Sequence, residues 1–243
     1  MYKSKTIGIV GGMGPKAGSL LFDYIMKHTA ANCDQEHLSV ILISFPKQIK
    51  DRTAFLEEGT KENPAYEIAK IINKLVSVGA EVIGIPCNTS HTEKIFNVIQ
   101  EECSHSNLLN MPIEVVNSLK KDYSHYDRIG VLSTNGTYHS EIYKTHLENA
   151  GFTPVLPDVD FQYRIIHQLI YDPHFGLKAN TEKITEKAQD YIQKIKTYFQ
   201  EKNTDLIIFG CTELSMLNNS NLVIPIVDST EVLAKALIRE AIS

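Results

Sequence analysis

The sequence predicts an α/β fold built from parallel, doubly wound sheets. Six short apolar runs, rich in β-branched residues, alternate along the chain with longer segments in which apolar residues recur at helical spacing. Buried parallel strands are near-continuous apolar runs that are joined by crossover helices, so this alternation is typical of parallel α/β proteins. The chain of 243 residues is long enough for one large domain or two small domains of this kind.

The predicted elements follow one another from the N-terminus. The strands cover residues 6–10, 39–43, 81–85, 128–132, 205–209 and 222–227. The helices cover residues 17–31, 65–78, 92–102, 140–149, 181–201 and 231–242. The first strand ends in a glycine-rich turn, and Pro15 suits the first turn of the helix that follows. The third and fifth strands each follow a turn, residues 78–80 and 202–204, that is polar or contains glycine.

Two of these strands end alike, which predicts two similar halves. Cys87 follows the third strand and Cys211 follows the fifth, and each cysteine has a hydroxyl residue close behind it. We therefore expect a first domain over residues 1–110 and a second over residues 111–227. The C-terminal segment, residues 228–243, is expected to form a helix that packs back on the first domain.

Composition and charge exclude several classes of partner. The net charge of −5 gives no electrostatic reason to expect nucleic acid or an anionic membrane. No apolar run approaches the roughly 20 residues that a membrane-spanning helix needs. The N-terminus passes directly into a strand without the features of a secretory signal, so a cytoplasmic protein is expected.

The four cysteines form no C-x-x-C pair and no zinc-ligand spacing, so no metal site is predicted. Cys33 and Cys103 lie on or beside helices and are expected to serve packing. Cys87 and Cys211 lie where strands give way to helices, which is where ligands bind in open α/β sheets. Because the first turn of a helix stabilises anions, we expect this position to favour thiolates and so make both cysteines reactive.

Two reactive thiols without a metal suit racemisation. One base must remove an α-proton from one face of the carbon while an acid supplies a proton to the other, and two groups of one type can exchange these roles. Fixed donors must stabilise the negative charge that develops on the α-carboxylate. The sequence places Asn88, Thr89, Ser90 and Thr212 to supply them.

Three further features of the sequence each allow more than one interpretation. Arg52 can hold a substrate carboxylate through two hydrogen bonds, or it can be a surface arginine paired with Glu57 or Glu58. His91, four residues after Cys87, can polarise the thiol or pack locally. The turn at residues 11–14 fits a dinucleotide pattern weakly, but the second strand lacks the acidic residue that holds a ribose. We therefore expect no dinucleotide, and we expect Met13 at the floor of a pocket.

Four segments, residues 7–15, 51–53, 86–91 and 210–214, resemble the aspartate/glutamate racemase family, above all its aspartate racemase branch. The resemblance extends over nearly the whole chain. It implies two Rossmann-like domains related by pseudo-twofold symmetry, with the active site between them. It also implies activity without pyridoxal phosphate or another cofactor, and a homodimer.

The resemblance also implies roles for individual residues. Cys87 and Cys211 match the two catalytic bases, and Arg52 matches an arginine that binds a substrate carboxylate. Lys178 resembles a lysine associated with the distal carboxylate. Glu213 stands where the glutamate racemase branch usually has histidine, which favours the aspartate branch. The remaining matches are Asn88 and Thr89, on the α-carboxylate, and Thr134, in a loop of the second domain.

The resulting hypothesis is cofactor-independent racemisation of an acidic amino acid, aspartate or else glutamate. Alternatives within the same chemistry are a broad-specificity or hydantoin racemase, and a relative that decarboxylates or isomerises a diacid. Alternatives from other classes are a non-catalytic protein that binds acidic amino acids and a cysteine–histidine hydrolase.

Overall fold

The computed structural model describes residues 4–59, 62–217 and 224–243, and the chain divides into two compact units. The first unit comprises Met1–Glu114 and Thr230–Ser243, and the second comprises Val115–Ser229. Each unit contains one four-stranded parallel sheet, which confirms the predicted α/β class. In the described part of the chain, no helix is both long and apolar enough to span a membrane.

The sheet of the first unit has the strand order β2-β1-β3-β4. Its strands are β1 (Ile7–Gly11), β2 (Val40–Ser44), β3 (Val82–Gly84) and β4 (Asn107–Leu108). The helices of this unit are α1 (Pro15–His28), α2 (Arg52–Glu58), α3 (Ala65–Ser77), α4 (Glu93–Glu102), α5 (Met111–Asp122) and α11 (Ser229–Ile242). Two of them cross the division of the chain: α5 continues past Glu114 into the second unit, and the first residue of α11 belongs to the second unit. Short 3₁₀ helices cover Asp34–Glu36 and Asn88–His91.

Apolar side chains cover both faces of this first sheet. Successive residues of a strand point to opposite faces, and Val82 lies in one apolar cluster while Ile83 lies in the other. Side chains of α3 and α4 complete one cluster, and side chains of α1 and α11 complete the other. Gly84 allows α11 to approach closely, because a Cβ atom there would lie 2.6 Å from Leu237 Cδ1.

The sheet of the second unit has the equivalent order β6-β5-β7-β8. Its strands are β5 (Arg128–Ser133), β6 (Thr153–Val155), β7 (Leu206–Gly210) and β8 (Ile226–Asp228). The helices are α6 (Asn135–His139), α7 (Ile142–Asn149), α8 (Val159–Phe161), α9 (His167–Tyr171) and α10 (Glu186–Glu201), with a π turn at Gln162–Ile166 and a 3₁₀ helix at Thr212–Leu217. Its main core joins β5 and β7 to side chains of α9 and α10.

The structure differs from the predicted elements mainly in short segments, but the 12-residue helix α5 was also not predicted. β4 and β6 have two and three residues, too few for a periodic pattern, and they were not predicted. The predicted strand over residues 222–227 is confirmed only in part, since β8 begins at Ile226 and residues 222 and 223 lie outside the described residues. The equivalent strand order in the two sheets makes β3 and β7 topological counterparts.

Candidate active site

Cys87 opens a tight turn just beyond the carboxyl end of β3. Its backbone N–H donates to the Ile85 carbonyl at 2.7 Å, and its own carbonyl accepts from the Ser90 N–H at 3.1 Å. The 3₁₀ helix Asn88–His91 follows at once, so the chain turns within a few residues of the strand. Cys87 is buried, with 6% of its surface exposed. Helix α2 contacts this 3₁₀ helix.

His91 fixes the same turn through the backbone. Its Nδ1 atom lies 2.9 Å from the Cys87 carbonyl oxygen, which can only accept, so Nδ1 carries the hydrogen. The ring is 2% exposed, and its centroid lies 4.9 Å from that of Phe96. Burial lowers the pKa of His91 to about 4, against weaker opposing hydrogen bonds to the backbone of Cys87 and Leu109. The ring is therefore neutral near pH 7, and its contact with the carbonyl favours local packing over polarisation of the thiol.

Met13 joins the turn after β1 to the turn after β3. The Ser90 hydroxyl donates to the Met13 sulfur at 3.4 Å, and both residues are buried. The chain can bend sharply before Met13 because Gly12 adopts a φ of 100°, where a side chain would be strained. These two predicted site residues therefore lie together at the carboxyl edge of the first sheet.

Arg52 is the first residue of α2, and Asp51 caps that helix. An Asp51 side-chain oxygen accepts from the Ala54 N–H at 2.8 Å. Arg52 donates from Nη1 to the Lys50 carbonyl at 3.1 Å. Its exposed fraction is only 7%, so the interpretation as a surface arginine is wrong. Arginine keeps its charge when it is buried, and such a group is well suited to an incoming carboxylate.

Cys211 occupies the counterpart position in the second unit, directly after β7, and it contacts a carboxylate. Its Sγ atom lies 3.0 Å from Glu213 Oε2, and the Thr212 hydroxyl donates to the same oxygen at 3.2 Å. The other carboxylate oxygen, Oε1, lies 2.5 Å from Lys178 Nζ. The structure thus brings three predicted site residues, Cys211, Thr212 and Lys178, together around Glu213.

Glu213, Lys178 and Cys211 affect one another's ionisation. Burial is the largest single effect on Glu213 and opposes its ionisation, but the Lys178 charge and the hydrogen bonds from Cys211, Lys178 and the backbone together outweigh burial and lower the pKa of that carboxyl. Burial likewise opposes the charge of Lys178, yet the attraction of Glu213, with smaller contributions from Cys211 and Tyr171, raises its pKa. For Cys211, burial and then the Glu213 carboxylate raise the pKa well above its ordinary value. The expectation that the strand end favours a thiolate is therefore wrong for Cys211, because burial and a neighbouring carboxylate exceed any effect of the helix start.

A loop with several internal hydrogen bonds holds Lys178 in this position. The Lys178 N–H donates to the Ile170 carbonyl at 3.1 Å, and its ammonium lies 5.2 Å from the centre of the Tyr171 ring. The Asp172 side chain accepts from the backbone N–H groups of His174 and Phe175, at 2.8 and 3.1 Å. The position of the Lys178 ammonium is therefore set jointly by this loop and by α9.

Thr134 follows β5 and caps the N-terminus of α6, and it is buried, with its hydroxyl accepting from the Thr137 N–H at 3.4 Å. The neighbouring backbone is held by Gln162, which was not predicted. Its Nε2 group donates to the Ser133 carbonyl at 3.0 Å and to Asn135 Oδ1 at 3.1 Å. Gln162 is fully buried in the π turn, and no sequence signal marks such a turn.

The remaining predicted residues, the hydrogen-bond donors and the other two cysteines, are described by their burial. The predicted donors are all buried, with exposed fractions of 5% or less: Asn88, Thr89, Ser90 and Thr212. Cys103 is buried in the first unit's core, as predicted, but Cys33 is exposed, so its predicted packing role is wrong. Across the described residues, no three His, Cys, Asp or Glu side chains are grouped to hold a metal ion.

Comparison with known proteins places the chain among racemases. Residues 10–237 match the family of Asp/Glu/hydantoin racemases. The chain belongs to this family. It is an isomerase, and it is 33% identical to the aspartate racemase of Picrophilus torridus, with 98% of this chain and 94% of that chain covered and a TM-score of 0.81.

Two further relatives have different named activities. The broad specificity amino-acid racemase RacX of Bacillus subtilis is 27% identical to this racemase over 247 residues, with 96% of each chain covered. A glutamate racemase from Francisella tularensis, solved with D-glutamate, is 16% identical; it covers 98% of this chain and 81% of its own, with a TM-score of 0.67. This last likeness shows a shared fold.

Proposed function

We propose that this racemase interconverts the enantiomers of an acidic amino acid, with aspartate as the first candidate, by a two-thiol mechanism that needs no cofactor. One observation carries the proposal. The counterpart strands β3 and β7 each lead to a buried cysteine at the start of a 3₁₀ turn. A single nucleophile or binding residue would not need this repetition, whereas a reaction with one base and one acid does.

The proposed reaction moves one proton off the α-carbon and one proton on. In one direction the Cys87 thiolate removes the α-hydrogen, so that a C–H bond breaks and an S–H bond forms. The Cys211 thiol then donates its proton to the opposite face of the carbon. In the other direction the two sulfurs exchange roles. The mechanism requires both sulfurs to reach one α-carbon from opposite sides.

The intermediate needs donors for the negative charge that forms on its carboxylate. Backbone N–H groups and side chains that are already fixed lose little freedom at the moment of reaction, so they stabilise such charge efficiently. The buried turn after Cys87 supplies candidates in Asn88, Thr89 and Ser90, and the second unit supplies Thr212 and Thr134. Met13 is proposed to contact the substrate through its side chain.

Two cations are proposed to select an acidic side chain. Arg52 can bind the distal carboxylate through two hydrogen bonds from one planar group. Lys178 has three donor hydrogens, so it can bind a substrate carboxylate while it keeps its contact with Glu213. The likeness to the aspartate racemase of Picrophilus torridus supports this substrate class.

A broad-specificity racemase is the second candidate, and one contact favours it. Glu213 already balances the charge of Lys178 at 2.5 Å, which weakens the net attraction of this group for a further carboxylate. The named activity of the Bacillus subtilis relative is consistent with this alternative. A cytoplasmic location and assembly as a homodimer complete the proposal and rest on the sequence and the family resemblance.

The test is isotope exchange in D₂O with single enantiomers. With L- or D-aspartate, the product enantiomer should carry deuterium at the α-carbon from the first turnovers, while recovered substrate keeps its hydrogen. Substitutions C87S and C211S should each lower turnover by about 100-fold or more, because serine is a poor acid and base near neutral pH. The matched control is C33S, since Cys33 is exposed.

A panel of amino acids in the same assay separates the candidates. Exchange confined to aspartate and glutamate supports acidic specificity, and comparable exchange with neutral amino acids supports the broad-specificity alternative. Thermal stabilisation by aspartate without any exchange would replace the racemase proposal with a binding protein. Full turnover in either C87S or C211S would refute the two-thiol mechanism.

A further inference from the structure

The Glu213 carboxylate holds the Cys211 thiol from one side and the Lys178 ammonium from the other. Oε2 accepts from the Thr212 hydroxyl at 3.2 Å and lies 3.0 Å from Cys211 Sγ, while Oε1 lies 2.5 Å from Lys178 Nζ. Glu213 is 8% exposed, so the three contacts replace most of its contact with water. A buried carboxylate is stable only when it is paired and hydrogen-bonded in this way.

The geometry fixes which group carries the hydrogen between sulfur and oxygen. An ionised carboxylate can only accept, and its contact with Lys178 keeps Glu213 ionised. The hydrogen of the 3.0 Å contact therefore lies on Cys211. A thiolate at this distance from a carboxylate would place two like charges in a buried site, which is unfavourable.

The first unit has a different residue at the corresponding place. Two positions beyond Cys211 the chain carries Glu213, whereas two positions beyond Cys87 it carries Thr89. Threonine has no charge, so it cannot oppose a thiolate in the same manner. The two thiol turns thus share a position in the fold but differ in the charge that follows the cysteine.

We propose that Glu213 is a positioning residue that makes Cys211 the proton donor of the unliganded enzyme. The inference rests on the proposed two-thiol function. When Cys211 gives its proton to the substrate, its S–H bond breaks and a C–H bond forms, and a thiolate is left beside Glu213. Lys178 limits this repulsion, and the thiolate regains a proton from solvent or from the α-carbon in the reverse reaction.

Among the described residues, the charged and titratable groups around the Cys211 turn come from several elements of the second unit. Glu213 lies in the same turn, and Lys178 reaches in from its loop above the Tyr171 ring. Asp228 lies on β8 beside the turn, and its charge acts on the buried hydroxyl of Tyr143. Of these groups, Glu213 contacts the sulfur, and so its removal is the informative perturbation.

The test compares E213Q with wild-type protein, using iodoacetamide alkylation of Cys211 followed by peptide mass spectrometry across a pH series. Only the thiolate reacts. Loss of the negative charge should lower the midpoint of the Cys211 pH profile by about one to three pH units. Because a less basic thiolate is also less nucleophilic, the alkylation rate near neutral pH should rise about threefold for each unit. The matched control is E201Q, an exposed glutamate on α10, which should leave the profile unchanged.

A second readout does not depend on how the variant folds. In wild-type protein, the Cys211 alkylation rate should still be rising at about pH 9. A wild-type profile that levels off below about pH 8, or an unchanged profile in folded E213Q, would overturn the proposal.

Racemisation separates this inference from the proposed function. E213Q should lower turnover and shift its pH profile towards acid, while E201Q behaves as wild type. Absence of racemisation with every amino acid would refute the proposed function whatever the alkylation shows. Normal racemisation, together with identical Cys211 profiles in wild type and E213Q, would refute only the role of Glu213.

Discussion

Acidification is expected to destabilise this racemase through His91, the buried histidine behind the Cys87 turn. The ring is 2% exposed and donates from Nδ1 to the Cys87 carbonyl at 2.9 Å. Its pKa is about 4 in the folded protein, because burial penalises the charged ring, against an ordinary value of 6.5. In the unfolded chain the same ring is in water and takes up its proton at the ordinary value.

The direction and the size of the change in the free energy of unfolding follow from this difference in pKa. Between pH 6.5 and about 4 the unfolded chain binds the proton and the folded protein does not, so the free energy of unfolding falls as the pH falls. The full difference, about 2.5 pKa units, corresponds to about 3.4 kcal/mol at roughly 1.36 kcal/mol per unit. At about pH 4.5 the loss from His91 alone is about 2.5 kcal/mol relative to about pH 7.5.

Urea denaturation at a series of pH values measures this effect. In H91Q the side chain cannot take up a proton, yet its amide can still donate to the Cys87 carbonyl. The variant should therefore lose about 2.5 kcal/mol less than wild type between about pH 7.5 and 4.5, whatever its stability at neutral pH. The matched control is H174Q, which replaces an exposed histidine and should follow wild type. Parallel pH curves for H91Q and wild type would refute the reasoning.

Two further predictions test how the substrate groups are positioned. Removing the α2 cap by D51A should cost about 1 kcal/mol of stability and raise the KM for aspartate, because the Asp51 cap holds the first turn that carries Arg52. The control T185A removes the equivalent cap of α10, and it should cost similar stability but leave the KM for aspartate unchanged. If D51A and T185A had the same KM for aspartate, the role of Arg52 would be contradicted. In G176A the new Cβ would lie 2.5 Å from the Asp172 carbonyl oxygen, so the loop must shift, at a cost of about 1–3 kcal/mol. Thermal melting and kcat/KM for aspartate should both fall, and a wild-type melting temperature would contradict the close contact.

The class of fold could be predicted because its signal is spread over many residues. β1, β2, β3, β5 and β7 are apolar runs, and each lies within two residues of its predicted bounds. β4 and β6 escaped prediction because two or three residues carry no period. The π turn at Gln162–Ile166 escaped for a different reason, since it interrupts a helical segment through hydrogen bonding and not through composition.

The candidate site could be predicted where it depends on position along a strand. Cys87 and Cys211 were identified because strand ends in parallel sheets face ligands. The contacts of Glu213 could not be predicted, because they require a 3₁₀ turn that brings its side chain back to Cys211 and a loop that brings Lys178 to it from 35 residues away. The state of the Cys211 thiol was predicted wrongly for the same reason, since it depends on these contacts and on burial.

Cys87 and Cys211 have different charged neighbours, but thermodynamics restricts what Glu213 can change. The enantiomers of an amino acid have equal free energies in water, so the two directions must have equal kcat/KM, however the enzyme distributes its protons. Glu213 therefore cannot bias the equilibrium. It can change the rate in both directions, and it can determine which protonation form of the free enzyme is populated, and so which enantiomer meets a ready acid and base without a prior proton exchange. An asymmetry in the individual kcat values that vanishes in kcat/KM is therefore a kinetic pattern that unequal protonation of Cys87 and Cys211 can produce.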